Sequence, residues 1–600
     1  MKHFRLALLF FVAFLLLPGA ALAAGQDDCK AGLTAFKNQN YDQAISLYTR
    51  CIESGQLSAK SLAIAYNNRG IAWRAKGKND QALTDYNRSL ELNPQYDKAY
   101  YNRGLVWGDL RQYEKAIADF NRAIELNPRY EKAYLRRGYT REDLRQYDQA
   151  IADYTKVIEL NPKDTSAYFG RGNAWSAKKQ EDKAQADFSK AIELNPKYAN
   201  AYFNRGNAWR RLGQYDKAIA DFNRYIELEP KDAEGYNNRG LVWKNKGQDE
   251  KAITDFTKAI ELSPKYATAY LNRGDIQYYQ RQYDKAQTDY NKVIAMDPKN
   301  ARAYLKRGNV YYYKRQYDQA IADYGKVIEL KPKEASPYNN RGSVWRDKKQ
   351  YDKAIADYTK AIELSPKYAA AYNNRGSAWS DKKQYDKAIA DYDKAIELDP
   401  KYATAYNRRG NAWNDKKQYD KAIADYDKAI ELSPKYAAVY NNRGSAWRKK
   451  KQYDKAVSDY SKAIEINPKY ALAFRNRGNV WSDKKQFEKA IADYKKASEI
   501  DPKYAAAHNS QAWLLATCPE AKYRDGKQAL AAAQKAVEIN RSAQYLDTLA
   551  AAQAEAGRFA EAIKAQEEAL TLAKKEGIKN LADYEERLAA YKQNRPWREK

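Results

Sequence analysis

Histidine, methionine and cysteine are scarce in this chain of 600 residues, which contains two His, two Met and three Cys. One histidine, His3, lies in an N-terminal segment that we expect to be removed, which leaves His508. These counts exclude a zinc site with more than one histidine, a four-cysteine metal site and any histidine-based triad not built on His508. The sequence also lacks a phosphate-binding loop and a nucleophile paired with a base. We therefore expect no enzyme activity, no catalytic residue, no metal and no cofactor.

Long apolar runs are missing after the first two dozen residues. Lys2 and Arg5 precede an apolar run over residues 6–17, Pro18-Gly19 breaks it, and residues 21–23 have the small-residue pattern of a cleavage site. The run is too short to span a bilayer. We predict a signal peptide over residues 1–23, a periplasmic or secreted protein, and no transmembrane segment. An uncleaved anchor is the alternative.

What the chain has in abundance is a repeat. Thirteen of its 17 prolines recur every 34 residues from Pro94 to Pro502, and glycines preceded by arginine keep the same register from Gly70 to Gly478. A fixed period of this length is typical of a solenoid of repeated supersecondary units. We number each unit so that Gly376 stands at position 8, which makes residues 369–402 one repeat.

Each repeat predicts two amphipathic helices. Positions 4, 8 and 11 recur at helical spacing, and so do positions 20, 24 and 27. Lys382-Lys383-Gln384 is the predicted turn between the helices of one repeat, and Asp399-Pro400 ends the second helix because proline cannot continue it. Ten of the 12 tryptophans occupy position 11, where we expect them to be core residues.

This pattern resembles the tetratricopeptide repeat family, with Gly or Ala at position 8, Ala at 20, an aromatic at 24, Ala at 27 and Pro at 32. The resemblance implies an all-α fold, a right-handed superhelical solenoid of helix pairs. We predict about 16 pairs over residues 24–575, followed by a C-terminal capping helix and tail over residues 576–600, with the helix from Asn580 to Gln593.

One charge pattern is unusual for the family that the chain resembles, in which position 7 is usually a bulky apolar residue. Position 7 is arginine and position 23 is aspartate in all 13 regular repeats, and the irregular repeats lose both together. We predict an Arg–Asp salt bridge repeated along the array, either within a helix pair or to the adjoining one.

The face of the first helix turned away from its partner contains a row of asparagines at position 6. This row looks like the asparagine ladder of the repeat domain of O-linked N-acetylglucosamine transferase, whose amides bind a peptide backbone. A carboxamide both donates and accepts hydrogen bonds, which suits a peptide unit whatever its side chains. Solvated residues copied by duplication are the alternative. The predicted ligands are Asn68, Asn102, Asn204, Asn238, Asn272, Asn340, Asn374, Asn442 and Asn476.

Aromatic residues flank this row, more often in the amino-terminal half. We predict that Tyr101, Phe169 and Phe203, at position 5, contribute to peptide binding, together with Tyr279 and Tyr313 at position 13. Exposed aromatic groups of this kind are where binding energy concentrates.

The net charge of +29 is spread over the turns and second helices, with acidic residues nearby. This distribution favours a solvated coat, and attraction of acidic proteins or surface polyanions is the alternative. Nucleic acid is not expected in the predicted compartment.

Cys29 and Cys51 occupy positions 5 and 27 of the first repeat, near adjoining ends of two antiparallel helices. We predict a disulfide between them, with two free buried thiols as the alternative. The predicted function is a non-catalytic scaffold that binds extended peptides or partner proteins in its concave groove. Adhesion or polyanion binding through the basic exterior is the second hypothesis.

Overall fold

The fold was analysed in a computed structural model, which describes residues 24–55 and 57–599. The predicted signal peptide lies outside these residues. The described residues form 33 α-helices and one short 3₁₀ helix, with no strand among them. They divide into two compact units between Met296 and Asp297.

The first unit contains sixteen helices. They are α1 (Ala24–Lys37), α2 (Tyr41–Glu53), α3 (Ala59–Ala75), α4 (Asn79–Leu92), α5 (Asp97–Asp109), α6 (Tyr113–Leu126), α7 (Glu131–Asp143), α8 (Tyr147–Leu160), α9 (Thr165–Ala177), α10 (Glu181–Leu194), α11 (Ala199–Arg211), α12 (Tyr215–Leu228), α13 (Ala233–Asn245), α14 (Asp249–Leu262), α15 (Ala267–Tyr279) and α16 (Tyr283–Met296).

The second unit contains the other seventeen and the 3₁₀ helix Ala521–Tyr523. They are α17 (Ala301–Tyr313), α18 (Tyr317–Leu330), α19 (Ala335–Asp347), α20 (Tyr351–Leu364), α21 (Ala369–Asp381), α22 (Tyr385–Leu398), α23 (Ala403–Asp415), α24 (Tyr419–Leu432), α25 (Ala437–Lys449), α26 (Tyr453–Ile466), α27 (Ala471–Asp483), α28 (Phe487–Ile500), α29 (Ala505–Thr517), α30 (Gly526–Ile539), α31 (Ala543–Glu555), α32 (Phe559–Lys575) and α33 (Ala582–Lys592).

Helices α1–α32 pack as consecutive pairs, and α33 packs on α32 at the C-terminal end. The predicted turn at Lys382–Gln384 is confirmed, because α21 ends at Asp381 and α22 begins at Tyr385. Position 15 of this turn has a positive φ in all 13 regular repeats, although it is glycine only at Gly77, Gly213 and Gly247. The turn geometry is therefore the same whether a lysine, arginine or glycine stands there.

Each helix pair of the first repeat and of the 13 regular repeats closes on a glycine and an aromatic ring. A Cβ atom added to Gly376 would lie 2.8 Å from Cε1 of Tyr392 and 3.1 Å from the carbonyl oxygen of Ala388, so only glycine lets the ring approach this closely. The tryptophans at position 11 are half-buried, and most of them pack against the core clusters between the helices, as Trp379 does, which agrees with the expected packing role. Their outer surface carries the lysine of position 19, as where Nζ of Lys387 lies 4.5 Å from the Trp379 ring centre.

The predicted Arg–Asp pair is confirmed in all 13 regular repeats, where Nη2 and Oδ1 are 2.5–2.8 Å apart within one helix pair. Arg375 also donates from Nε to Asp391, and from Nη1 to Oγ1 of Thr359 in the preceding repeat at 3.0 Å. Its hydrogen bonds to Asp391 raise the pKa of the guanidinium. Arg375 thus joins both helices of its own repeat and also links to the repeat before it.

Cys29 and Cys51 form a disulfide that joins α1 to α2, with their Cα atoms 5.3 Å apart. Cys518, the third cysteine, is a free buried thiol at the end of α29. Burial raises the pKa of this thiol, which disfavours the reactive thiolate. The predicted staple therefore lies at the first repeat, and Cys518 behaves as a packing residue.

Candidate functional site

The inner face of the array is formed by the first helices of the repeats. In both units these helices contact the first helices of neighbouring repeats, as α3 contacts α5 and α25 contacts α27. Second helices make no comparable contact with one another in the described part of the chain. We define the inner face as positions 2, 5, 6, 9, 12 and 13 of the first helices, which lie on the narrower side of each unit.

The position-6 asparagines lie on this face, but most of their amides bind the preceding repeat. Five of them donate from Nδ2 to Oδ1 of the asparagine at position 5 of the repeat before, at 2.9–3.0 Å. These bonds are Asn102–Asn67, Asn272–Asn237, Asn374–Asn339, Asn442–Asn407 and Asn476–Asn441. These asparagines therefore form hydrogen bonds between neighbouring repeats, which leaves fewer of their amide groups for a peptide. We call each such bond between position 6 and position 5 of the repeat before a rung.

The remaining asparagines at position 6 have other arrangements. Asn204 and Asn340 donate to position 9 of the preceding repeat, at Asn173 (2.7 Å) and Asn309 (3.5 Å). Asn238 donates to the carbonyl oxygen of Glu234 in its own helix, and Asn68 accepts from its neighbour Asn67. Asn68 and Asn272 are buried, and the other seven are partly exposed. Their role as peptide ligands stays a prediction.

The rung is missing at Asn373, and its acceptor oxygen is left without a partner. Asn373, at position 5, is followed in the next repeat by Arg408 rather than asparagine at position 6. Arg408 donates to Oγ of Ser377 at 2.8 Å instead. Oδ1 of Asn373 is left buried without a hydrogen bond, and the residue is only 1% exposed. Asparagine at position 5 therefore needs an asparagine 35 residues later, a coupling that is present in the sequence but that inspection of position 6 alone misses.

Polar side chains at position 9 of the inner face also form hydrogen bonds with core residues. Where position 24 is tyrosine and position 9 is Asn, Asp or Ser, the two side chains are hydrogen-bonded, as from the Tyr426 hydroxyl to Oδ1 of Asn411 at 2.8 Å and from the Tyr494 hydroxyl to Oδ1 of Asn479 at 2.9 Å. Burial raises the pKa of one such hydroxyl, that of Tyr358, to about 12. In the third and seventh repeats position 24 is phenylalanine and position 9 is leucine. In the fifth and sixth repeats, however, phenylalanine at position 24 stands with asparagine at position 9, so the polarity of position 9 follows the core residue only in part.

The five predicted aromatic residues divide into two groups. Tyr101, Phe169 and Phe203 are half-buried against other rings, with Phe169 centred 4.8 Å from Tyr198 and Phe203 centred 5.0 Å from Tyr225. Burial raises the pKa of the Tyr101 hydroxyl. These three rings join the core between the helices more than they line a surface.

Tyr279 and Tyr313 belong to the second group, since each projects from the end of a first helix. Tyr279 is 71% exposed at the end of α15 in the first unit. Tyr313 is 59% exposed at the end of α17 in the second unit. Both keep the accessible aromatic surface that the sequence predicts, and their role in binding stays a prediction.

Comparisons with known proteins now decide the family. Four family models, each described as a tetratricopeptide or TPR repeat, match residues 70–232, 244–340 and 342–504, which is more than half of the chain. The chain belongs to the tetratricopeptide repeat family. This membership supports a protein-interaction scaffold, and no enzyme family is among the matches. No curated protein matches the chain.

Solved structures similar to this tetratricopeptide repeat chain include one from the APC/C hetero-tetramer Cut9-Hcn1, with 15% identity, a TM-score of 0.36, and coverage of 77% of this chain and 97% of that one. Yeast Tom70 has 19% identity and a TM-score of 0.34, and the match covers 74% of this chain and 98% of Tom70. YrrB, a TPR protein with an unusual peptide-binding site, has 27% identity and a TM-score of 0.26, covering 31% and 95%.

The outer surface of the tetratricopeptide repeats is basic, but its lysines have acidic or aromatic neighbours. The lysine at position 26 pairs with a glutamate one turn later, as from Lys394 to Glu397 at 2.6 Å. In eight repeats the lysine at position 14 pairs with the aspartate at position 18 of the preceding repeat. These pairs are Lys76–Asp42, Lys178–Asp148, Lys246–Asp216, Lys348–Asp318, Lys382–Asp352, Lys416–Asp386, Lys450–Asp420 and Lys484–Asp454.

The C-terminal end of the inner face carries a segment of the chain itself. After α33 the backbone reverses at Asn594, whose φ is 55°, and residues 594–599 return over α31 and α29. We call these residues the tail. The backbone N–H of Glu599 donates to the carbonyl oxygen of Thr517 at 2.9 Å. The inner face of two terminal repeats thus holds a segment without regular secondary structure by main-chain and side-chain contacts.

Two further properties of the described residues bear on function. No helix among them is both long enough and apolar enough to cross a membrane. They also contain no group of three or more His, Cys, Asp or Glu placed to hold a metal ion.

Proposed function

We propose that the chain is a non-catalytic scaffold of the cell envelope or secreted space, which binds extended peptide segments or partner proteins along the inner face. The observation that carries this proposal is the tail on α29 and α31, because the face binds a non-helical peptide segment there. Family membership supports the scaffold role. The exposed ring of Tyr279 supports an aromatic contact in the first unit.

The alternative, binding of acidic proteins or polyanions through the outer surface, has less support. The lysines at positions 14 and 26 already pair with carboxylates of the chain, and such pairs lower the positive potential that a polyanion would meet. We therefore place the partner on the inner face.

The test begins with peptides selected from a random library on the chain starting at Ala24. Binding of a selected peptide is then compared in the variants Tyr279→Ala, Tyr313→Ala and Asn238→Ala. Asn238 suits this purpose because its amide bonds only to its own helix, so that its removal breaks no rung. The matched outer-surface control is Lys394→Ala.

We expect at least one inner-face variant to bind about tenfold more weakly by fluorescence anisotropy, with the control unchanged. Binding that falls steeply with salt and ignores all three inner-face variants would instead favour the outer surface. For the compartment, amino-terminal sequencing of the protein from its native cell should begin near Ala24. A protein that keeps Met1 would contradict cleavage of the predicted signal peptide, and its presence in the cytoplasmic rather than the envelope or secreted fraction would contradict the proposed compartment.

A further inference from the structure

We propose that the inner face of the last two repeats is a specific peptide site for an extended segment with Trp followed by Arg, and that the tail occupies this site as an intramolecular competitor. The inference rests on the proposed function and adds to it a ligand chemistry and a regulatory element. It concerns the faces of α29 and α31 only.

The position of the tail follows from the end of α33. Asn594 donates its backbone N–H to Tyr591 at 2.9 Å, and Arg595 donates to Ala590 at 3.0 Å, which closes the helix. Pro596 follows and cannot continue a helix. The chain therefore leaves α33 in the reverse direction, and its last residues run along the inner face rather than away from it.

Trp597 supplies the apolar contact. Its half-buried ring packs against the terminal core, which includes Leu515 of α29 and Ala551 of α31. The guanidinium of Arg587 lies 5.8 Å from the Trp597 ring centre and 5.5 Å from that of Trp513. A cation placed near two indole rings attracts both, and it favours an aromatic side chain at this place in a ligand.

Arg598 supplies the charged contact. Its Nη1 lies 2.6 Å from Oε2 of Glu555, whose side chain is only 13% exposed. Arg524 approaches the other oxygen of Glu555 at 3.1 Å, and Arg598 also donates to the carbonyl oxygen of Ala516 at 3.3 Å. A carboxylate in this shielded position interacts more strongly with a cation than one on an open surface does.

The end of α29 supplies contacts that do not depend on the ligand's side chains. The last carbonyl groups of a helix lack partners within it, and here those of Ala516 and Thr517 accept from Arg598 and from the backbone N–H of Glu599. Indole Nε1 of Trp513 donates to the Glu599 carboxylate at 3.2 Å. The site thus contacts three consecutive residues of the tail: the aromatic ring of Trp597, the cation of Arg598 and the backbone N–H of Glu599.

The tail is short and bound only through its last residues, whereas residues 594 and 595 are exposed. A short tether gives a segment a high effective concentration at its site, roughly in the millimolar range for flexible linkers. An external peptide of similar sequence must therefore compete with the tail. Release of the tail opens the site without a change in the helices.

The experiment uses a fluorescein-labelled peptide with the sequence of residues 593–600, titrated by anisotropy against the full chain and against a chain ending at Gln593. We expect the truncated chain to bind it at least tenfold more tightly. The same peptide with alanine in place of tryptophan should lose at least tenfold. In the truncated chain, Glu555→Gln should weaken binding, whereas the outer-surface control Glu538→Gln should not.

A full-length chain with Trp597→Ala and Arg598→Ala provides a second way to open the site, in case truncation disturbs the end of the fold. Equal binding to the closed and both opened forms would overturn the proposal, as would no binding to either opened form. A concentration-dependent dimer that disappears on truncation would assign the tail to a second copy and contradict the intramolecular placement. If the tail peptide fails while library-selected peptides still bind the inner face, this inference fails and the proposed function stands.

Discussion

The arginine at position 7 joins three parts of the array that are separate in sequence. In the eleventh repeat, Arg375 contacts Tyr372 in its own helix, Asp391 in the second helix and Thr359 in the preceding repeat. The Asp391 side chain is 9% exposed and that of Arg375 is 20% exposed. This burial makes the loss of one partner much more costly than loss of a surface ion pair.

We expect Arg375→Ala and Asp391→Ala each to lower the free energy of unfolding by about 3–5 kcal/mol, because each leaves one charge buried without its partner. The double variant should cost clearly less than the sum of the two. Urea unfolding of all three proteins, followed by circular dichroism, measures the coupling. Strictly additive losses would contradict a coupled pair.

A second prediction concerns the hydroxyl group at position 24. The hydroxyl of Tyr86 is buried without a hydrogen bond beside Ile71, whereas that of Tyr426 donates to Asn411. Tyr86→Phe removes a buried unsatisfied group and should raise the free energy of unfolding by about 1 kcal/mol. The matched change Tyr426→Phe should lower it by about 1 kcal/mol. Shifts of the same sign in both urea midpoints would show that the hydrogen bond does not decide the effect.

At the scale of the helix, stability depends on pairs of first helices that stand one repeat apart. Asparagine at position 5 accepts a hydrogen bond when the next repeat has asparagine at position 6. At Asn373 and Asn509 the next repeat has Arg408 or Thr548 there, and Oδ1 of each asparagine is buried without a hydrogen bond. The rungs therefore fix the spacing of neighbouring first helices, and they use amide groups that a peptide would otherwise bind.

Arg408→Asn should restore the missing rung to Asn373 and raise the free energy of unfolding by about 1 kcal/mol. The matched control is Arg136→Asn, because position 5 of the preceding repeat is then Tyr101, which offers no amide acceptor. The two urea midpoints check the prediction. A gain in both variants would point to helix propensity or charge rather than to the rung.

The sequence predicts the helices and the salt bridge within each repeat, but it does not predict the hydrogen bonds between repeats or the tail. Proline at position 32 and the period of 34 give the helix ends, and the joint loss of arginine and aspartate in irregular repeats gives the salt bridge. The rungs and the pairing of position 24 with position 9 were missed, because each becomes visible only when two positions are compared across repeats. The tail could not be predicted, since its contacts with α29 lie more than 80 residues away in sequence and no other repeat contains an equivalent segment.

At the scale of the whole molecule, neighbouring repeats meet through the same kinds of contact wherever the sequence is regular. Around the twelfth repeat, residues 403–436, Arg443 bonds to Asp427 and Lys450 pairs with Asp420. The eleventh repeat has Asp393 and Asp386 at the corresponding positions. Removal of the twelfth repeat would therefore exchange each partner for an identical residue, and it would bring Asn442 into register with Asn373.

We expect deletion of residues 403–436 to leave helicity per residue unchanged and the urea midpoint equal or higher, because nearest-neighbour contacts dominate a solenoid. The control deletion, residues 403–418, removes a first helix and its turn and should lower both values strongly. Far-UV circular dichroism and urea unfolding distinguish the outcomes. A large loss in the whole-repeat deletion would reveal interactions beyond adjacent repeats.

The return of the tail also bears on how the protein is handled. Glu599 lies beside Trp513 of α29, in the penultimate repeat, instead of pointing into solvent beyond α33. An affinity tag or fluorescent protein fused after residue 600 would emerge from the inner face, and it would either displace the tail or obstruct the surface beside it. Fusions at the amino-terminal end, before Ala24, leave the tail and the inner face of α29 and α31 unchanged.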